Sequence, residues 1–267
     1  MAYGCPETLT TVIAVTAVLD RILEAKRQEV VALRARRLPS PPRTRSVGLK
    51  RNSDEPLRMF AEIKFKSPSA GPLSTALSVG ERAAAYERAG ASVVSVLCDS
   101  NFFGGAYEHL TLARESCSIP LLCKEFVIDE IQLDCARAFG ADLVLLIARC
   151  LGPEALHRFH RAAIERGLTP LVEIATLEEA AWVRDLDAPS VGVNARDLDT
   201  LEMDASRASL ILKSLHPSLV RIHLSGLKTP TDIAGIRESG VDGALVGEVL
   251  MRESNPEPLL RRLVEAA

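Results

Sequence analysis

Beyond residue 57 the chain alternates between two periodicities. Short runs rich in Val, Ile and Leu occupy 58–64, 92–98, 119–124, 142–147, 169–174, 190–194, 220–225 and 243–247. Near-continuous apolar runs of this kind are the mark of strands covered on both faces. Between them lie segments with helical spacing of apolar residues, near 79–89, 106–116, 129–138, 153–166, 176–185, 204–215, 230–239 and 256–265. Asp129, Thr176 and Thr229 stand at helix starts, and Pro230 suits a first helical position. Gly90, Gly140, Gly167 and Gly240 follow helical segments, where a left-handed C-cap is expected. Eight strand-then-helix units predict an α/β fold with a parallel sheet under helices, and the count of eight favours closure into a parallel (βα)8 barrel of the TIM type. An open doubly wound sheet is the alternative, but no GxGxxG follows the first strand.

Upstream of the barrel, Leu19, Ile22, Leu23, Val30 and Leu33 share one broad face of a helix at about 18–36. The apolar stretch 10–19 lacks a preceding basic segment and a cleavage site, and it falls short of the roughly 20 apolar residues a membrane helix needs. It reads as the lead-in to that helix. Pro39, Pro41, Pro42 and Pro56, with interspersed Arg, make 39–56 a connector and not a core element. The expected division is therefore an N-terminal helical extension and connector over 1–56 and a barrel over 57–267.

A chain of 267 residues is the right size for one barrel, which takes about 250. The net charge of −3 gives no global attraction to nucleic acid or to an anionic membrane, so neither is an expected partner, and anion binding must come from local Lys and Arg. Six cysteines, none in CxxC spacing, read as reduced apolar residues in a cytoplasmic protein. His157 and His160 lie on one helix without a third ligand nearby, so no metal site is expected. Oligomeric state is left open.

Polar residues collect where a parallel barrel carries its site, at the C-terminal strand ends. They are Glu62 and Lys64, Lys124, Glu173, Asn194 with Arg196, and Ser225 with Gly226. Glu62 and Lys64 are two apart on one strand and so share a face. Charges placed there for structure alone would be costly. Gly226 and Gly247 end the seventh and eighth strands, where loop backbone N–H groups often bind phosphate. The first connection, Lys64 to Pro72 with Ser67 inside it, is basic and rich in Ser, Pro and Gly, as suits a loop folding over an anion. Phe102 and Phe103, in a chain with only 4% aromatics, suggest a wall for a flat apolar ligand.

These segments together resemble the indole-3-glycerol phosphate synthase family. The resemblance runs from about Val18 to the C-terminus and is carried by Ala61–Ser69, Asn101–Gly105, Ile119–Phe126, Gly140–Ile147, Leu171–Ile174, Gly192–Leu198 and Val246–Arg252. It implies a lyase that closes an indole ring on a carboxyphenylamino-deoxyribulose phosphate, with loss of carbon dioxide and water, and without cofactor or metal. It implies Lys124 as general acid, Lys64 as the second catalytic lysine, and Glu62 and Glu173 as acid–base carboxylates. Asn194 and Arg196 would orient the substrate, and Ser225, Gly226 and Gly247 would lie on its phosphate side. The sequence departs from the family pattern at Leu224, where a glutamate is usual, at Ser100, often acidic, and at Ala195, often small and polar. Two other readings remain: a barrel relative acting on another sugar phosphate, and a non-catalytic protein binding a phosphorylated ligand.

Overall fold

The structure, a computed structural model, describes residues 18–187 and 190–267. The expected lead-in at 10–17 and Cys5 lie outside the described residues. Eight parallel strands close into a barrel: β1 (Arg58–Ile63), β2 (Val93–Leu97), β3 (Leu121–Lys124), β4 (Leu143–Ile147), β5 (Thr169–Ile174), β6 (Ser190–Asn194), β7 (Val220–Leu224) and β8 (Gly243–Val246). β1 pairs with both β8 and β2, which closes the ring and excludes the open sheet. Closure leaves no unpaired edge, and the helices cover the outer face.

The interior is filled by a cluster that includes Phe60, Leu122, Leu145, Leu171, Ile222, Leu224 and Leu245, all buried. A larger cluster, with Met59, Val94, Cys123, Val144 and Val172, lies between strands and helices. The alternation of the two clusters along each strand is the period of two that strand geometry imposes.

Helix starts follow the expected chemistry. Asp129 and Thr229 close capping boxes on the helices Glu130–Ala138 and Pro230–Arg237, and Thr176 caps Leu177–Trp182. The helix Ala148–Glu165 is two pieces, because Gly152 at φ 70° breaks the backbone before Pro153. Ser100–Phe103 and Glu248–Arg252 form short helices where loops were expected. The five described cysteines are free thiols.

The N-terminal helix, α1 (Val18–Arg34), buries Leu19, Ile22, Val30 and Leu33, as its periodicity predicted, and packs on Glu130–Ala138. The connector does more than connect. It crosses the N-terminal ends of the strands, where Arg45 Nη1 donates to Ile119 O at 2.6 Å and Lys50 Nζ donates to Leu219 O at 2.9 Å. Asp142 and Asp242, just before β4 and β8, accept from the backbone N–H of Arg45 and Arg51. Leu49 is only 5% exposed and joins the interior cluster with Phe60, Leu143 and Ile222. The connector is therefore the plug of the barrel floor, a correction to its reading as outside the core. The prolines misled because they report backbone conformation, and the floor's need for an apolar stopper is a property of the closed ring.

Truncating this plug removes buried hydrocarbon from the interior cluster at the floor. Leu49→Ala is expected to destabilise the protein by about 2–3 kcal/mol. Urea unfolding of parent and variant measures it, and a change below about 0.5 kcal/mol would mean that Leu49 is a surface residue in solution.

Candidate active site

At the opposite end, the strand ends and their loops enclose a cavity of about 600 Å³, within the range of about 300–1,000 Å³ usual for small-molecule sites. Of the candidate site residues singled out from the sequence, all but Phe102 line it. Glu62 comes from β1 and Lys64 from just past its end, Lys124 from β3, Glu173 from β5, Asn194 from the end of β6 and Arg196 from the loop after it. Ser67 and Phe103 border it from the loops after β1 and β2, and Ser225, Gly226 and Gly247 from those after β7 and β8.

Glu62 stands at the centre of the charged groups. Its Oε1 lies 2.7 Å from Lys64 Nζ and its Oε2 lies 2.8 Å from Lys124 Nζ, so one carboxylate holds both lysines. Lys64, Ser225 and Gly247 each fall one residue past the last strand position, where the backbone turns out of the ladder towards the mouth. Burial pushes the Glu62 carboxyl up, but the two lysines outweigh it and bring it from near 4.5 down to about 2. Burial likewise works against the Lys124 ammonium, and attraction to Glu62 and Glu173 outweighs it, so Lys124 is held above the ordinary lysine range. Glu173 behaves oppositely. Burial raises its pKa, and Lys124 together with the Asn194 amide, which donates to Glu173 Oε1 at 2.9 Å, only partly offsets this. The two carboxylates are thus driven apart, which suits one to stay ionised and the other to carry protons.

Asn194 is fixed in turn, because its Oδ1 accepts from the Arg196 N–H at 2.9 Å. Arg196 Nη1 donates to Leu201 O at 2.9 Å across the β6 loop. That loop is held by ion pairs of Arg149 with Asp197 and Asp199. On the far rim Ser225 has φ 69° and Gly226 φ 85°, two successive left-handed residues. Such strain in a non-glycine residue is often found at functional sites. Any Cβ at Gly247 would collide with the Glu62 carboxylate. The glycine there makes room for the charged cluster, so a side chain at 247 would disturb Glu62 as well as any anion held by the loop.

Leu224 takes no part in the polar group. It is fully buried in the interior cluster, level with Asn194 and Leu245, and its side chain occupies the space left by Gly192. The predicted loop of Phe102 and Phe103 is a short turn of helix, and the Phe103 ring packs against Phe126 with centroids 5.8 Å apart. Sequence reasoning left out Leu19 and Ile22, which line the cavity from α1. Their apolar periodicity marked a docking face, and nothing local marked that this face ends at the mouth.

The family model described as indole-3-glycerol phosphate synthase matches residues 19–263. The chain belongs to the indole-3-glycerol phosphate synthase family. It is 38% identical over 239 residues to the indole-3-glycerol phosphate synthase of Bacillus thuringiensis subsp. konkukian, covering 89% of this chain and 94% of that one. It is 37% identical over 245 residues to the one from Exiguobacterium sp., covering 92% and 95%. Among solved structures it is similar to tryptophan synthase subunit alpha from Legionella pneumophila, with TM-score 0.59 and 14% identity over 94% of this chain and 98% of that one. It is also similar to 3-hexulose-6-phosphate synthase from Salmonella typhimurium, with TM-score 0.63 and 12% identity over 79% and 98%. At such identities these two establish the barrel alone.

The depressed pKa of Glu62 makes a pH-dependent contribution with a definite sign. Ionised Glu62 stabilises the folded state fully above its unfolded value near 4.5, and this is lost as pH falls towards about 2. Glu62→Gln removes the contribution and leaves the lysines unpaired. The stability gap between parent and variant, of the order of a few kcal/mol, is expected to be constant above about pH 5 and to narrow below it. Urea melts at a series of pH values measure the gap, and one that does not narrow on acidification would show that Glu62 is not ionised between the lysines.

Proposed function

We propose that the protein is a carbon–carbon lyase, an indole-3-glycerol phosphate synthase. It converts 1-(2-carboxyphenylamino)-1-deoxyribulose 5-phosphate into indole-3-glycerol phosphate, carbon dioxide and water. The observation that carries this reading is the Glu62 carboxylate bridging Lys64 and Lys124 at the mouth, with Glu173 and Asn194 beside them.

The aryl carbon bearing the carboxylate attacks the ketone, and negative charge develops on the carbonyl oxygen. Lys124, kept charged by Glu62 and Glu173, donates the proton that this oxygen needs. Lys64 faces the substrate carboxylate until carbon dioxide leaves and the ring electrons return. Loss of the hydroxyl as water then requires an acid at the oxygen and a base for the remaining proton. Glu173, with its raised pKa, is the better proton carrier, and Glu62 acts mainly as the counter-ion that fixes the two lysines. Asn194 and Arg196 orient the chain of the sugar. Ser225, Gly226 and Gly247 take its phosphate end, Ser67 closes from the β1 loop, and Phe103 lies against the aryl ring.

One observation favours a second reading. Leu224 is fully buried in the interior cluster against Gly192, which fits a pocket rebuilt for a related sugar phosphate or for binding without turnover.

Lys124→Met keeps most of the side-chain length and loses the proton. It is expected to lower turnover by about 10²-fold or more, read as indole fluorescence from the synthase substrate, with a melting curve as control because Glu62 also loses one of its two partners. More than half the parent rate would rule out its role as acid. Leu224→Glu separates the two readings. If the synthase reading holds, a carboxylate level with Asn194 adds to the acid–base set and turnover rises. A folded variant with unchanged or lower turnover would favour the rebuilt pocket, because a carboxylate there would then be buried without a partner.

A further inference from the structure

The N-terminal helix carries a lysine where its apolar stripe calls for a hydrocarbon. Lys26 lies in line with Leu19, Ile22, Val30 and Leu33 and is fully buried. Its Nζ is 2.9 Å from Asp99 Oδ2, 2.9 Å from Glu125 Oε1, 3.0 Å from Glu125 Oε2 and 2.8 Å from Glu29 Oε2. The Asp99 and Glu125 side chains are themselves fully buried. A buried ion cluster is seldom a net source of stability, so what it holds in place is the more telling question.

Each buried carboxylate reaches past the lysine to the backbone of a phenylalanine. Asp99 Oδ1 accepts from the N–H of Phe102 at 2.6 Å and of Phe103 at 3.1 Å, capping the turn after β2. Glu125 Oε1 accepts from the N–H of Phe126 at 2.7 Å, just past Lys124. Phe103 and Phe126 pack ring to ring and line the cavity, and so do Leu19 and Ile22 from the same helix as Lys26.

We propose that Lys26 is a positioning residue for the aryl end of the substrate, fastening α1, the turn after β2 and the residues after β3 into one apolar wall. It touches no reacting atom and acts through Phe103 and Phe126. Burial alone would lower the lysine's pKa, but Glu125 and Asp99 outweigh it and keep Lys26 charged. Burial also pushes Glu125 up to about 7 against the pull of Lys26. Without the lysine, Asp99 and Glu125 face each other with no cation between them, and the wall loses the link that joins its three parts. The wall lies across the mouth from Ser225 and Gly247, so the two ends of the substrate are predicted to respond separately.

This inference rests on the synthase reading, and the test keeps the two apart. Lys26→Met is compared with the parent in steady-state kinetics on the synthase substrate and in thermal stabilisation by inorganic phosphate. The expected result is a KM raised about tenfold, with kcat changed less than about threefold, and phosphate stabilisation equal to the parent's. A KM within about twofold of the parent's, or a matching loss of phosphate stabilisation, overturns the proposal. If Lys26→Met does not fold, Glu125→Gln cuts one link while Lys26 keeps Asp99 and Glu29. It should raise KM about threefold, and an unchanged KM overturns the proposal. A parent without synthase turnover defeats the functional reading instead. Fluorescence titration with anthranilate, the aryl part of that substrate, then replaces KM, with affinity weakened about tenfold by Lys26→Met if the proposal holds and unchanged if it does not.

Discussion

The site depends on one buried carboxylate between two ammonium groups. Glu62 would be expensive to ionise in the barrel mouth by itself, and either lysine would be expensive without it. Together, at 2.7 Å and 2.8 Å, they form a cluster whose charges are mutually required. The barrel makes the meeting possible by bringing the ends of β1 and β3 to one rim, with the small residue Gly247 leaving room for the carboxylate.

Around that cluster the cavity has two kinds of wall. The side formed after β7 and β8 is backbone-rich, with the left-handed pair Ser225 and Gly226 and the glycine at 247. The side formed after β2 and β3 is aromatic and is backed by α1. A substrate with a phosphate at one end and an aryl carboxylate at the other matches this polarity, with the lysines between. The same α1 leads into a connector that passes to the other end of the barrel, where Leu49 closes the floor. The N-terminal segment thus serves both ends, one through a buried ion cluster and the other through a hydrocarbon plug.

Much of this was legible in the chain because its causes are local. Strands covered on both faces must be apolar throughout, so the eight runs stood out. Helix caps need a side-chain oxygen at one position, so Asp129, Thr176 and Thr229 could be read directly. Charged residues at strand ends had no structural excuse, which singled out Glu62, Lys64, Lys124 and Glu173. The turn at Ser100–Phe103 was missed because four residues are too few for a periodic signal, although its cap, Asp99, is an ordinary one.

What the chain determined by itself was the order of strands and helices, the apolar stripe of α1 and the residue types at the strand ends. Only the closed tertiary structure decided which of those residues meet. Lys26 and Glu125 are 99 positions apart, and no periodicity joins a lysine on one helix to a carboxylate after a distant strand. A lysine on an apolar stripe was the one visible sign. Closure likewise turned Leu49 from a connector residue into a plug and set Leu224 against Gly192 in the interior. The physical reason is common to all three. Sequence patterns report the preferences of a segment for its own neighbours, whereas burial of a charge or a hydrocarbon depends on surfaces that exist only once the ring has closed.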